Sequence, residues 1–246
     1  MSMFYEATYR VGARDTDPFN QCRPSSMLNF LQEAATDAAG ELHVSRDEII
    51  ERYNCFWMLV RMWYRLDRPL HWDEQLTVRT WHRGGKAAAM YRDFDLYCNG
   101  VLIGEAVSTW VLADMETHKL KKLSEIEEFH LTTGGDLCKS IKLHRAHLPE
   151  EMTAVESRLL HYSDCDVNGH VNNVRYADFA CDAMHLDQIG EGKFVSSLHI
   201  SYLKECRPGE TITLYAGEKD GLFYARGADS TEVDRFEAEI SLKNCP

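Results

Sequence analysis

Apolar and polar residues are arranged along this chain in a pattern that predicts the same order of elements twice. In the first copy, apolar residues recur every three or four positions from Ser25 to Gly40, which predicts a helix. Ser45 and Glu48 form a capping-box pattern, so a second helix is predicted from Ser45 to Tyr53. Asn99-Gly100 favours a tight hairpin turn. The strands of this copy are predicted at residues 5–13, 57–66, 75–83, 88–98 and 101–113.

The second copy follows a stretch without regular periodicity, from Lys119 to Ser157, which is typical of a linker. A turn at residues 163–169 precedes a predicted helix from about Val171 to Leu186. Its strands are predicted at residues 156–162, 194–205, 211–217, 221–229 and 233–243. The chain is therefore divided into a first half at residues 1–130, a linker at 131–155 and a second half at 156–246.

The two copies align when Asp15 is set on Asp164. The residues from Arg14 to Gln21 then match those from Ser163 to His170 at a constant offset. This internal repeat predicts a fused pair of similar folds. A long helix followed by an antiparallel sheet that curls around it is an α+β arrangement, which we expect for each half.

Composition narrows the range of functions. The net charge of −12 over 246 residues argues against broad nucleic-acid binding, which depends on a basic surface. No apolar stretch approaches the roughly 20 residues that a membrane-spanning helix needs, and the N-terminus lacks the features of a signal peptide, so we expect a cytoplasmic protein without a membrane span. The eight cysteines show neither a CxxC pair nor metal-ligand spacing. We therefore expect reduced thiols, no metal and no cofactor.

The densest polar cluster runs from Asp166 to Tyr176, at the predicted strand-to-helix turn. A carboxylate there can activate water, and the N–H groups at a helix start can stabilise a developing negative charge. A run of Asp, Asn and Gly before a helix is also typical of a capped turn without chemistry. The first copy has Asp17, Phe19 and Gln21 at the matching places, so it keeps the acid but lacks the amide and the imidazole. This contrast favours a single functional turn, in the second copy.

The segment from Asn168 to Tyr176 resembles the NxHVNNxxY motif of the acyl-acyl-carrier-protein thioesterases, the plant and bacterial enzymes that end fatty acid synthesis. The segment from Tyr202 to Cys206 is similar to that family's Tyr-Arg-Arg-Glu-Cys stretch. Weaker similarities occur at Thr80-Trp81, at Gly85-Lys86 and from Ser108 to Leu120. The resemblance spans nearly the whole chain. It implies a tandem (double) hotdog fold, each half a long helix wrapped by an antiparallel sheet, and a hydrolase of fatty acyl thioesters.

The resemblance also implies roles for individual residues. Asp166 would attack the thioester carbonyl or activate the attacking water, and Asn168 would orient that water or the carboxylate. His170 would move a proton or stabilise the leaving thiolate. Glu205 would hold His170 or the water in place. Cys206 could form a Cys–His pair, but a cysteine beside a glutamate gains no lowering of its thiol pKa, so a buried structural residue is the preferred interpretation.

Substrate recognition is expected at three places. Backbone N–H groups near Val171 and Asn172 would bind the oxyanion. The resemblance places acyl-chain selection in the first half, where the apolar candidates, which are equally compatible with a packed core, are Met27, Leu28, Leu31, Trp57, Met58 and Trp63. The implied partner is acyl carrier protein with a fatty acyl chain on phosphopantetheine, and the positive groups available to it are Arg61, Arg65, Arg68, Lys119, Lys121 and Lys122. A homodimer is also compatible with the sequence.

Three other functions fit parts of this pattern. An acyl-CoA thioesterase would use the same turn and differ only at the surface and the tunnel mouth. A hotdog dehydratase or hydratase would carry an HxxxxPxxPG-type stretch after its helix, which this chain lacks. A non-catalytic module that binds acyl thioesters would not need to keep Asp166, Asn168, His170 and Glu205 together.

Overall fold

Ten β-strands and four α-helices form along residues 4–126 and 133–246, which are the residues that the computed structural model describes. The helices are α1 (Pro24–Glu41), α2 (Arg46–Tyr53), α3 (Arg175–Ala183) and α4 (Leu186–Ile189). The strands are β1 (Tyr5–Arg10), β2 (Cys55–Leu66), β3 (Gln75–Lys86), β4 (Ala89–Cys98), β5 (Val101–Asp114), β6 (Thr153–Leu159), β7 (Lys193–Tyr202), β8 (Thr211–Lys219), β9 (Leu222–Asp229) and β10 (Asp234–Asn244). Residues 131 and 132 of the predicted linker, with residues 1–3 and 127–130 of the first half, lie outside the described residues.

These elements group into two units that are not contiguous in sequence. The first unit draws on Met1–Arg10, Asn29–Met62 and Glu74–Leu143. The second unit draws on Val11–Leu28, Trp63–Asp73 and His144–Pro246. Two stretches of the first sequence half therefore group with the second half. The division of the chain at residues 130 and 155 stays a prediction. In the described residues, no helix is both long and apolar enough to cross a membrane.

The first unit has strands in the order β1-β3-β4-β5, followed by residues 55–62 of β2, and the first four form antiparallel pairs. Asn99 and Gly100 have positive φ angles of 51° and 77° between the paired residues at the ends of β4 and β5, so the predicted hairpin is confirmed. The N–H of Ser45 donates to Oε2 of Glu48 at 2.9 Å, which confirms the predicted capping pattern at the start of α2.

The second unit has strands in the order β7-β10-β9-β8-β6, with antiparallel pairing between neighbours. Helix α3 packs against β8, β9 and β10 of this sheet. Its buried residues are apolar or aromatic, and the ring of Tyr176 lies 5.9 Å from that of Tyr202 and 5.2 Å from that of Phe236. These contacts fix the N-terminal end of α3 over the sheet.

The predicted helix from Val171 to Leu186 was wrong in its bounds. Helix α3 begins only at Arg175, because Oδ1 of Asn172 accepts the N–H of Val174 at 3.1 Å and holds the preceding residues in a turn. At the other end, His185 has a φ of +52° and separates α3 from the four-residue helix α4. The second copy therefore has a shorter helix than the first.

Candidate active site

A loop between β6 and α3 carries three of the four expected catalytic residues, Asp166, Asn168 and His170. Oδ2 of Asp164 accepts the N–H of His161 at 2.9 Å, and the carbonyl of Asp164 accepts the N–H of Asn172 at 2.8 Å. Inside this frame, the N–H of Asp166 donates to the carbonyl of His170 at 2.9 Å. The loop is therefore closed by hydrogen bonds within its own backbone and by one carboxylate.

The loop before α1 repeats this arrangement bond for bond. The corresponding donor and acceptor pairs are Gly12 N–H to Asp15 Oδ2 (2.9 Å), Arg23 N–H to the Asp15 carbonyl (2.8 Å) and Asp17 N–H to the Gln21 carbonyl (2.8 Å). At the corner of each loop, Asn20 and Gly169 have φ angles of +61° and +73°. The alignment of Asp15 with Asp164 is therefore confirmed in the hydrogen bonding of the two loops.

The side chains at the end of the two loops differ in chemistry. Nε2 of His170 lies 2.7 Å from Oε2 of Glu205, and the two side chains are 27% and 30% exposed, so solvent reaches both. In the first copy Gln21 stands at the place of His170. Its Nε2 donates to the carbonyl of Lys193 at 2.7 Å, and the residue is only 7% exposed. The amide of Gln21 is thus used as a structural link.

The residue that corresponds to Glu205 also differs in the first copy. The N–H of Val171 donates to the carbonyl of Cys206, and in the first copy the N–H of Cys22 donates to the carbonyl of Leu70. The residue before Cys206 therefore corresponds to the residue before Leu70, which is Pro69. Proline has no side-chain acceptor, so only the second copy has the imidazole–carboxylate pair.

Asp166 and Asn168 lie on the same loop as His170. Oδ1 of Asp166 accepts the N–H of Asn168 at 2.8 Å, and Oδ1 of Asp17 accepts the N–H of Phe19 at 2.9 Å in the first copy. Asp166 is half-buried and Asn168 is exposed. The structure thus brings three expected residues onto one loop and a fourth, Glu205, into contact with it. Their catalytic roles stay predictions.

Cys206 occupies a structural position beneath this loop. Its side chain is fully buried, and burial raises the pKa of its thiol, although a hydrogen bond with Tyr176 partly opposes this. A thiol with a raised pKa remains protonated near neutral pH and is a poor nucleophile. The carbonyl of Cys206 meanwhile accepts the N–H of Val171 at 2.9 Å. These contacts support the interpretation that Cys206 is not the nucleophile.

The expected oxyanion donors lie in the loop before α3. The N–H of Val171 is bonded to the carbonyl of Cys206, and the N–H of Asn172 is bonded to the carbonyl of Asp164. Both groups are bonded within the fold because α3 starts late and leaves Val171 and Asn172 in the loop before its first turn. An oxyanion site formed by N–H groups near these two residues stays a prediction.

Comparison with known proteins identifies the family of this chain. The model of the acyl-ACP thioesterase N-terminal domain matches residues 2–129, and the model of the C-terminal domain of the same family matches residues 149–241. The chain belongs to the acyl-ACP thioesterase family. The fold implied by the sequence resemblance, a tandem hotdog, is accordingly confirmed by the solved structures below.

Two solved acyl-ACP thioesterases have this fold along the whole chain. A bacterial acyl-ACP thioesterase from Bacteroides thetaiotaomicron superposes with a TM-score of 0.84 at 19% identity, covering 99% of this chain and 100% of that one. The 12:0-ACP thioesterase from Umbellularia californica superposes with a TM-score of 0.79 at 18% identity, covering 99% and 98%.

Curated relatives are more similar in sequence but longer. A chloroplastic palmitoyl-acyl carrier protein thioesterase from Arabidopsis thaliana is 30% identical over 248 residues, which is 89% of this chain and 59% of the relative. One of the same description from Gossypium hirsutum is 29% identical over 217 residues, which is 81% of this chain and 50% of the relative. The chain spans about half of the length of that relative.

The apolar residues expected to select the acyl chain are divided between the two units of this family member. Leu31, Trp57 and Met58 belong to the first unit, whereas Met27, Leu28 and Trp63 belong to the second. Met27, Leu28 and Leu31 are almost completely buried, and Trp57, Met58 and Trp63 are partly exposed. The indole N–H of Trp57 donates to the carbonyl of Val44 at 2.9 Å, so that ring also has a structural role. Their part in chain selection stays a prediction.

Two arginines at the site were not singled out by sequence reasoning. Arg175 contacts the carboxylate of Asp164, and Arg235 contacts the backbone carbonyl of Glu205. Arg175 lies at a variable position of the motif from Asn168 to Tyr176. Arg235 lies on β10, far along the chain, and no local pattern links it to Glu205.

Proposed function

We propose that this chain hydrolyses the thioester between a fatty acyl chain and acyl carrier protein, and so releases a free fatty acid and the carrier protein with its phosphopantetheine thiol. The proposal rests on the contact between His170 and Glu205. His170 lies on the same loop as Asp166 and Asn168, and the matching loop of the first copy lacks this contact. Membership of the family supports the substrate class, since its relatives are named as acyl carrier protein thioesterases.

The contact of His170 with Glu205 supports a specific protonation pattern. When Nε2–H of the imidazole donates to the carboxylate of Glu205, Nδ1 is the acceptor nitrogen of the neutral ring. Glu205 would therefore orient the ring. Such a carboxylate–imidazole pair is suited to giving a proton to a leaving group and taking it back afterwards.

The reaction breaks a C–S bond and forms a C–O bond at the acyl carbon. Asp166 either takes a proton from the water that attacks this carbon, or attacks it directly to give an anhydride that water then hydrolyses. The leaving thiolate accepts a proton from the imidazolium of His170. Asn168 orients the attacking water or the carboxylate through its amide. In the water route, the proton held by Asp166 then returns to His170. In the anhydride route, His170 takes a proton from the water that hydrolyses the anhydride, and either step completes the cycle.

Substrate recognition forms the second part of the proposal. The apolar set of Met27, Leu28, Leu31, Trp57, Met58 and Trp63 would select the acyl chain. Lys119 and Lys122 are exposed and stand as contacts for an acidic carrier protein, whereas Arg65 already pairs with Asp67 at 3.0 Å. A cytoplasmic location, a role in fatty acid synthesis and a homodimer complete the proposal and rest on the sequence alone.

The test is hydrolysis of octanoyl, lauroyl, palmitoyl and oleoyl thioesters, each presented on acyl carrier protein and on coenzyme A. We expect kcat/KM to be higher for the carrier-protein series. Higher values for the coenzyme A series would assign the chain to acyl-CoA hydrolysis, and no release of thiol from any substrate would refute the proposal.

Matched variants locate the reaction on one loop. Asp166→Asn should lower kcat by about 10²-fold or more, the scale of a lost general base or nucleophile. Asp17→Asn, the same change in the first copy, should leave kcat near the parent value. Equal losses in the two variants would contradict a single site in the second copy.

A further inference from the structure

Arg175 connects helix α3 to the loop that carries His170. Its Nε and one terminal nitrogen lie 3.3 and 3.2 Å from Oδ1 of Asp164. Another guanidinium nitrogen donates to Asp178 on the same helix. A guanidinium holds several donors in one rigid plane, so these bonds fix the direction of the side chain.

Asp164 links Arg175 to both ends of the loop. Its Oδ2 accepts the N–H of His161, and its carbonyl accepts the N–H of Asn172, so it joins the two ends of the loop. Asp164 is only 8% exposed, and Arg175 is the cation beside it. A buried carboxylate that loses its cationic partner is strongly disfavoured, which makes the loop sensitive to Arg175.

Arg235 acts in the same way on the segment that carries Glu205. Its guanidinium donates to the carbonyl of Glu205, and its own carbonyl accepts the N–H groups of Leu203 and Lys204 at 2.9 and 3.2 Å. A second guanidinium nitrogen lies 2.8 Å from Oδ2 of Asp229. One residue of β10 thus holds three consecutive residues of the segment.

Asp229, which contacts Arg235, is held in its ionised form. Hydrogen bonds from the side chain of Thr231 and from the backbone of Val233 hold the pKa of Asp229 well below its ordinary value. Asp229 therefore remains ionised over the working pH range and anchors the far side of Arg235. The side chain of Arg235 is only 11% exposed, so water competes weakly for these bonds.

The first copy shows what the loop does without such an arginine. Ser26 occupies the position of Arg175 at the same offset, and its hydroxyl lies 3.3 Å from Oδ1 of Asp15. The loop of the first copy keeps its backbone bonds with this weaker neutral contact. A loop of this kind therefore forms without an arginine where its aspartate, Asp15, is only partly buried, and the arginine is present in the copy that carries the imidazole.

We propose that Arg175 and Arg235 are positioning residues, which hold the loop of His170 and the segment of Glu205 so that the two side chains stay in contact. This inference rests on the proposed function for its kinetic test, but it also predicts the accessibility of His170 without reference to activity. Neither arginine is required to touch the substrate.

The kinetic test uses Arg175→Ala and Arg235→Ala, with Arg175→Lys and Arg235→Lys as conservative variants. Each Ala variant should lower kcat about 10- to 10²-fold with little change in KM, because a small displacement of catalytic groups has effects of that size. The Lys variants should recover part of the loss.

Two other arginines serve as matched controls. Arg158 bonds to Glu156 and Asp182, and Arg226 bonds to Asp234, so both form ion pairs in the second unit without touching either segment. Arg158→Ala and Arg226→Ala should keep a kcat close to the parent value. Losses in these controls as large as those of Arg175→Ala and Arg235→Ala would show a general structural effect and overturn the inference.

Double variants separate positioning from independent effects. Arg175→Ala added to His170→Ala, and Arg235→Ala added to Glu205→Ala, should lower kcat little further, since the group being positioned is already gone. Full additivity would overturn the inference. The same cycles with the Lys variants apply if an Ala variant does not fold.

An activity-independent measurement distinguishes this inference from the proposed function. Diethyl pyrocarbonate modifies exposed imidazoles, and mass spectrometry gives the modification rate of His170. Glu205→Ala should raise that rate, and Arg175→Ala and Arg235→Ala should raise it too, unlike Arg158→Ala. Rates equal to the parent in both test variants would refute positioning even in an active enzyme. Raised rates in a chain that hydrolyses no thioester would refute only the proposed function.

Discussion

His82 gives a quantitative prediction about stability in acid. It lies on β3 opposite Arg92 of β4 and is only 5% exposed. Neither of its ring nitrogens has a hydrogen-bond partner among the described residues. Burial, together with the smaller effect of the neighbouring charge of Arg92, lowers the pKa of His82 from its ordinary 6.5 to about 4. The folded protein therefore keeps this imidazole neutral while the unfolded chain does not.

The sign and the size of the effect follow from linkage. As the pH falls below 6.5, the unfolded chain binds a proton at His82 and the folded protein does not, so the free energy of unfolding decreases until about pH 4. The full difference in pKa corresponds to about 3 kcal/mol, at about 1.4 kcal/mol for each pH unit. Between about pH 7 and about pH 5, His82 should account for a loss of about 2 kcal/mol.

The assay is urea unfolding of the parent and of His82→Leu at a series of pH values, followed by tryptophan fluorescence. Leucine removes the titrating group and keeps a buried apolar side chain, so the variant should lose about 2 kcal/mol less than the parent over this range. His144→Gln, a change at an exposed histidine, is the control and should follow the parent. Identical pH dependence in His82→Leu and the parent would refute the reasoning.

Three further outcomes are expected. Cys206→Ser should retain most of the hydrolytic activity, and a loss as deep as that of Asp166→Asn in a folded protein would restore the thiol as nucleophile. Gly169→Asn should melt close to the parent, because Asn20 holds the same positive φ in the first copy, whereas Gly169→Val should lose roughly 1–3 kcal/mol. Met58→Trp should move the preferred acyl chain to shorter lengths by about 5-fold or more in selectivity, and an unchanged product profile would remove Met58 from the chain-selecting set.

Much of the fold could be predicted because its signals are local. The capping pair of Ser45 and Glu48 and the turn at Asn99-Gly100 act within four residues of chain, and the structure has both where the sequence indicates them. The start of α3 could not be predicted in this way. The pattern of apolar residues continues through Val171, but a hydrogen bond from Val174 to the side chain of Asn172 holds the chain in a turn. The spacing of apolar residues does not show where a side chain will compete with the helix for a backbone N–H group.

The grouping of the chain into units was also beyond the sequence pattern. Residues 11–28 and 63–73 precede the linker, yet they group with residues 144–246. Contacts between segments that are distant in sequence decide this grouping, and no local window reports them. The same reason explains why Arg235 was missed, since it meets Glu205 across about thirty residues of chain.

The duplicated loop separates residues that build the fold from residues that supply chemistry. Asp166 and Asp17 each accept a backbone N–H two residues further on, so the carboxylate is kept in both copies for a structural reason. The presence of this carboxylate alone is therefore weak evidence for catalysis. An Ala variant would remove both the hydrogen bond that holds the turn and the catalytic base, so its loss of activity could not be attributed to either. Asparagine keeps an oxygen at Oδ1 for that hydrogen bond and removes only the charge. We therefore expect a deep loss of kcat in Asp166→Asn without the same loss in Asp17→Asn. This difference would measure the chemistry of the second copy, because the contact of His170 with Glu205 is found there and not in the first copy.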